Sequence, residues 1–150
     1  MTISQLVYVN NIYLIPKLCY ILQVSNLSKI ALQKIQQPYL QLIKNKIGMA
    51  RTAGNYIISH RGMMGCKLLE QELCIKQISS LQNRLNNDGT VLKLAHIRIK
   101  QGLLNAGLVA MEWKSKKDKE LQHFWKGNLA CRVLVKAEEL RVSFGFDENW

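Results

Sequence analysis

Residues 43–57 read IKNKIGMARTAGNYI. The stretch holds the last turn of a helix with Lys44 and Lys46, a glycine that stops it, a loop bearing Arg51, and the start of a short helix around Asn55–Ser59. Gly48 is expected to be the C-terminal cap, because glycine takes left-handed backbone at little cost. Working backward, Ser28 is a fitting N-cap for the helix that ends there. Its apolar face is expected from Ile30, Ile35, Leu42, Ile43 and Ile47, with Lys29, Lys34, Lys44 and Lys46 largely off it. Pro38 should divide this helix, either by bending it or by opening a new one at its first turn.

The amino-terminal segment reads as a helix from about Ser4 to Leu22, with Pro16 as kink or restart. Its apolar residues are interrupted by Asn10, Asn11, Pro16 and Lys17, so no run approaches the roughly 18 to 20 residues that a membrane span needs. No basic region precedes it as in a signal peptide, so no membrane partner is expected. A helix buried against other helices is the expectation; without a packing neighbour it would expose apolar surface.

Beyond Gly48 the chain reads as a loop punctuated by Gly54, Gly62 and Gly65 and carrying Arg51, Arg61 and Lys67. A further helix follows over about Leu68–Leu85, its stripe formed by Leu69, Leu73, Ile78, Leu81 and Leu85. Asn86 to Gly89 make a turn, and Thr90 can cap the next helix, which carries Leu92, Leu94, Ile97, Ile99, Leu103 and Leu104. Gly102 and Gly107 weaken or end it. Lys114, Lys116, Lys117 and Lys119 read as a solvated helix start. A last helix is expected over about Asp118–Leu140, with Leu121, Phe124, Trp125, Leu129, Val133 and Leu134 toward the core. The fold class is therefore all-α: a small irregular bundle of about five to six helices with a glycine-rich basic loop after the second long one. Residues 1–85 form one expected region, and 86–150 a second, helical one packed on it.

Charge narrows the chemistry. Of a formal charge of +11, residues 1–69 carry +8 with no aspartate or glutamate, and all ten carboxylates lie between Glu70 and Glu148. Hard cations need anionic oxygen ligands, so the first half is unsuited to them and suited to phosphate. A nucleotide-polymerising site needs paired carboxylates around two metal ions, which this half does not supply. Asp147 and Glu148 are adjacent in the tail and have no third acid. Ser59–His60 lacks the setting of a nucleophile elbow, and no phosphate loop occurs. His60, Cys66 and Cys74 have irregular spacing and no fourth ligand, unlike a zinc site. Cys19, Cys66, Cys74 and Cys131 read as reduced thiols of an intracellular protein, nuclear or cytoplasmic. Cys74 is expected on a buried helix face. No catalysis by the chain alone, no metal and no cofactor is expected.

Three segments carry a resemblance: YLIPKLCYIL at 13–22, LSKIALQKIQQPYLQLIKNKIG at 27–48 and GNYIISHRGMMGCKLLEQ at 54–71. In this order they resemble the segment after the catalytic palm in reverse transcriptases of non-LTR (LINE-type) retrotransposons. RLNNDG at 84–89 and IRIKQGLLNAGL at 97–108 are similar to its downstream part. Lys17-Leu18-Cys19 departs from the pattern, where relatives often have an arginine and an acid before the tyrosine. The resemblance implies a thumb, a helical unit that packs along an RNA/DNA template-primer duplex. The parent would be an RNA-directed DNA polymerase whose palm and fingers are partners of this unit. It also makes Lys44, Asn45, Lys46 and Arg51 candidates for backbone contact.

The residues reach a similar expectation without the resemblance. Lysines along a helix and arginines in a glycine loop suit a sugar-phosphate backbone, which fixes position without reading bases. The full candidate set is Lys34, Lys44, Asn45, Lys46, Arg51, Arg61 and Lys67. Against it stands helix-end charge for Lys44 and Lys46, complementing the helix dipole, and loop charge that only faces water for Arg51 and Arg61. Tyr39 and Tyr56 are expected in the core, with base stacking as the other option. The other functional class is a stand-alone basic helical protein meeting RNA, DNA or an acidic protein.

Overall fold

The structure, a computed structural model, describes residues 1–87, 89–105, 127–142 and 144. It is all-α. Its helices are α1 (Ile3–Val9), a π-helical turn (Asn10–Leu14), α2 (Ile15–Leu22), α3 (Lys29–Lys46), α4 (Asn55–Ser59), α5 (Leu69–Leu85), α6 (Thr90–Asn105) and α7 (Leu129–Glu139), and the described residues contain no strand. The chain divides into two compact units, Met1–Ile75 and Lys76–Trp150. The lysine run at 114–119, the core expectations for Leu121, Phe124 and Trp125, and Gly107, Asp147 and Glu148 lie outside the described residues. No described helix is long and apolar enough to cross a membrane.

In the first unit the expected break at Pro16 is made one turn earlier and in a different form. The Ile15 N–H bonds the Asn10 carbonyl, five residues back. This wide turn absorbs the proline's missing donor and the bulk of its ring, so the helix continues without breaking. Its spacing also brings Tyr8 and Tyr13, five apart, into edge-to-face contact with ring centroids at 6.1 Å. A Thr2–Gln5 capping box starts α1, as that motif satisfies two orphan donors.

α3 begins where expected, with Ser28 Oγ accepting from the Ala31 N–H at 3.2 Å. Pro38 does not open a new helix, since α3 runs through it. The proline is exposed, so the Lys34 carbonyl that loses its helical donor faces the side of the helix open to water. The expected apolar face is corrected as well: Ile30, Ile35 and Leu42 are exposed, and the buried residues are Leu32, Gln36, Leu40, Ile43 and Lys44. Steps of three and four residues link Leu32, Gln36, Leu40, Ile43 and Ile47 into one arc, and Ile30, Ile35 and Leu42 fall outside it.

Two apolar clusters make the core of this unit. Leu6, Leu40, Ile43, Ile58 and Cys66 form one, and Ile15, Cys19, Leu32, Leu69 and Leu73 the other. Each fully buried aliphatic contributes about 1.5–3 kcal/mol over its exposed state. The amino-terminal helix is buried along Leu6, Asn10, Ile15 and Cys19, whereas Tyr8, Ile12, Tyr13, Tyr20, Ile21 and Val24 are exposed.

In the second unit α6 packs on α7. Ala95, Ile99, Gly102 and Leu103 are buried on α6, and Cys131, Val133, Leu134, Val135 and Ala137 on α7. Of the apolar residues read on this helix, Leu94, Ile97 and Leu104 are exposed. Gly102 does not end α6. It makes room for α7, since a Cβ there would run into Cys131 Sγ and lie 2.8 Å from Asn128 Nδ2. Asn128 caps α7 by accepting from the Ala130 N–H at 3.0 Å and donates to the Arg98 carbonyl at 2.5 Å. Thr90 is the first residue of α6, so the cap position falls on Gly89, whose carbonyl accepts from the Lys93 N–H, and not on the expected Thr90.

Candidate nucleic-acid interface

The end of α3 is closed by a Schellman motif. Gly48 has φ +70°, the Met49 N–H reaches the Lys44 carbonyl at 2.9 Å and the Gly48 N–H reaches Asn45 at 3.2 Å. These bonds satisfy the orphan carbonyls of the last turn, as the glycine at 48 predicts. The chain then doubles back over the helix end, so that the side chain of Lys44 meets the loop it precedes.

Lys44 is only 4% exposed. Its Nζ donates to the Ala53 carbonyl at 2.5 Å and to the Arg51 carbonyl at 3.4 Å. Charge-assisted bonds of this kind are the strong class, and they fasten residues 51–53 to the helix. The expectation that Lys44 lies largely off the buried face is therefore corrected: the residue is buried and its ammonium holds the loop. Its neighbours are outside. Asn45 and Lys46 in the last turn of α3, and Arg51 in the loop, are all exposed.

The other candidates are distributed around this point. Arg61 is exposed in the next turn, residues 60–65, where the His60 carbonyl accepts from the N–H groups of Met63, Met64 and Gly65. Gly65 takes φ +59° there. Lys34 is exposed on α3, about 18 Å from Lys46 along the axis at 1.5 Å per residue. It shares a stripe with Pro38, Gln41 and Asn45. Lys67 is exposed, but its Nζ pairs with Glu72 at 3.4 Å, as Lys29 pairs with Glu70 at 3.1 Å. Surface pairs such as these contribute about 0–1 kcal/mol.

The backbone at Lys67 is held by an amide network that sequence patterning did not single out. Asn10 Nδ2 and Gln36 Nε2 donate to the Lys67 carbonyl at 3.0 and 2.8 Å, and the Lys67 N–H donates to Asn11 Oδ1 at 2.8 Å. Gln36 Oε1 accepts from the Leu69 N–H at 2.8 Å, and Asn11 Nδ2 donates to the Gly65 carbonyl at 2.8 Å. Asn10 is 1% exposed, and no buried side-chain polar atom among the described residues lacks a partner. Three amides thus fasten the exit of the basic loop to α3 and the π-helical turn. The signals in the sequence were a glutamine in phase with Leu32, Leu40 and Ile43, and an asparagine pair one turn before a proline.

Tyr39 packs as expected, half-buried, with its hydroxyl donating to the Leu6 carbonyl at 2.7 Å. Burial, and then the charge that Cys66 would carry, raise its pKa. Tyr56 departs from expectation: it is 74% exposed. The Cys66 thiol is pushed up to about 11 by burial, so it stays protonated near neutrality and is no nucleophile. Cys74 is half-buried on α5. None of the four cysteines is in a disulfide, and among the described residues no three His, Cys, Asp or Glu side chains could hold a metal ion.

What remains is an electropositive loop with exposed cations, held by side-chain hydrogen bonds at both ends. Such an arrangement can engage anionic oxygens. No family model, curated protein or solved structure matches the chain.

Proposed function

We propose that the chain is a non-catalytic, thumb-like segment of a non-LTR retrotransposon reverse transcriptase that binds the template-primer backbone through its basic helical surface. Polymerisation would belong to a palm elsewhere in the parent polypeptide. The observation that carries this reading is the allocation of charge over residues 1–69, which hold eight cations and no carboxylate. Of the eight, Lys44 alone is buried, bracing the loop, while Lys46, Arg51 and Arg61 stand exposed on and beside it. A duplex backbone running along α3 would also meet Asn45 and Lys34. Lys67 is a weaker contributor because Glu72 already neutralises it in part.

The test is fluorescence anisotropy of the full chain with a labelled RNA/DNA duplex bearing a recessed end, titrated over salt. Each phosphate contact adds roughly 0.9 to the log-log salt slope. The triple variant Lys46→Ala/Arg51→Ala/Arg61→Ala is expected to lower the slope by about two to three. An unchanged slope removes the loop from the interface.

A stand-alone interaction protein is the second reading, favoured by the exposed Tyr8, Ile12, Tyr13, Tyr20, Ile21 and Val24. Where its partner is an acidic protein, that reading predicts no steep salt dependence on duplex.

A further inference from the structure

We infer that Tyr56 is a stacking platform for an unpaired nucleobase, so that the basic loop engages the junction between duplex and single strand as well as backbone. This rests on the nucleic-acid reading above and adds a ligand feature to it. Three observations meet at this residue. The ring is 74% exposed although it belongs to a short helix whose Ile58 is buried. An exposed tyrosine on its own means little. This one is placed by its neighbours.

The first neighbour is Gly54. Its φ of −62° and ψ of 138° suit any residue, so backbone conformation does not call for glycine. Space does: a Cβ at Gly54 would collide with Cε1 and lie 2.6 Å from Cδ1 of the Tyr56 ring. The Cδ1–Cε1 edge of the ring thus lies against bare backbone at Gly54, and with the residue 74% exposed the ring is open to a ligand. The second neighbour is the Lys44 clamp, which fixes the carbonyls of residues 51 and 53 immediately before Gly54. The third is charge. Arg51 and Arg61 lie five residues to either side, both exposed, and no carboxylate occurs before Glu70.

A ring held along one edge loses little freedom when a base stacks on it. Flanking guanidiniums hold the phosphates of the same strand. Base stacking tolerates any sequence, because every base has a π-face. Inside a duplex that face is already taken, so the platform acts where a base is unpaired.

The experiment compares two labelled probes with equal numbers of phosphates, a blunt RNA/DNA duplex and one with a single-stranded overhang, against full-length wild type, Tyr56→Ala, Tyr56→Phe and Gly54→Ala. Circular dichroism checks that each variant is folded. Tyr56→Ala should weaken overhang binding about tenfold, the scale of one stacked base, and leave blunt-duplex affinity and salt slope unchanged. Tyr56→Phe should retain wild-type affinity. Gly54→Ala should lose part of the overhang preference, because the added methyl pushes the ring off its seat. Equal affinity of wild type and Tyr56→Ala for the overhang overturns the platform while leaving backbone binding in place. Failure of wild type to bind either probe overturns both.

Discussion

Lys44 shows most clearly how one residue can differ from its composition-level meaning. As one of eight cations in a carboxylate-free segment it counts toward phosphate binding. In the structure it is buried and its ammonium serves two loop carbonyls. Replacing it with alanine leaves those carbonyls without their donor. Lys44→Ala is therefore expected to cost about 1–3 kcal/mol, measured as a lowered urea midpoint. An exposed-cation change such as Lys34→Ala should stay within about 0.5 kcal/mol. Nothing local in the sequence separates Lys44 from Lys46; the difference arises when Gly48 turns the chain back over the former. Cys66 and Cys131 make a second case. Burial raises their thiols to about 11 and about 12. The unfolded chain loses these protons first, so the unfolded state binds fewer protons as pH rises. Their contribution to stability is full below the ordinary thiol range and declines as pH climbs toward the folded values. A pH series of urea midpoints should fall above about pH 9, with a smaller fall in Cys66→Ala. Iodoacetamide should label neither thiol of the native chain at neutral pH.

The helices differ in how much of each the sequence reveals, and the difference has physical causes. Two boundaries of α3 are plain in the sequence, because Ser28 and Gly48 each use a residue whose side chain or backbone freedom is specific to the task. The face of α3 was misread because apolarity was the only criterion. Its buried arc includes Gln36 and Lys44, which are inside because their polar ends are satisfied. The amino-terminal helix was found, but its π-helical turn was not, since Asn10 and Asn11 looked like interruptions and are structural ties instead. Arg141 adopts φ 58° at the end of α7 and makes the same closing bonds that Gly48 makes after α3, with the Val142 N–H on the Ala137 carbonyl at 2.8 Å. No glycine marked that stop. Gly102, read as a helix weakener, is a packing glycine between α6 and α7. Gly102→Ala should improve helix propensity yet overpack the contact with Cys131 and Asn128. The expected net cost is about 1–3 kcal/mol, seen as an earlier thermal transition of the second unit.

For the molecule as a whole, helical periodicity carries the fold class and charge distribution the candidate chemistry. Neither could show which cations reach the surface or how the loop between α3 and α5 is fastened. That fastening uses Lys44 at one end and Asn10, Asn11 and Gln36 at the other, residues separated along the chain by up to 57 positions from the groups they bind. Long-range amide bonds leave no periodic trace. The proposed grip depends on the division they create, with Lys44 inside and Lys46 outside. Lysine acetylation footprinting of the full chain, read by mass spectrometry with and without a recessed RNA/DNA duplex, tests that division together with the binding. Lys46 should react in the unbound chain and be protected by the duplex, Lys44 should be unreactive in both, and Lys93 and Lys100, exposed on α6, should stay reactive in both. Lys46 labelled equally with and without duplex, or Lys44 reactive in the unbound chain, would contradict the account.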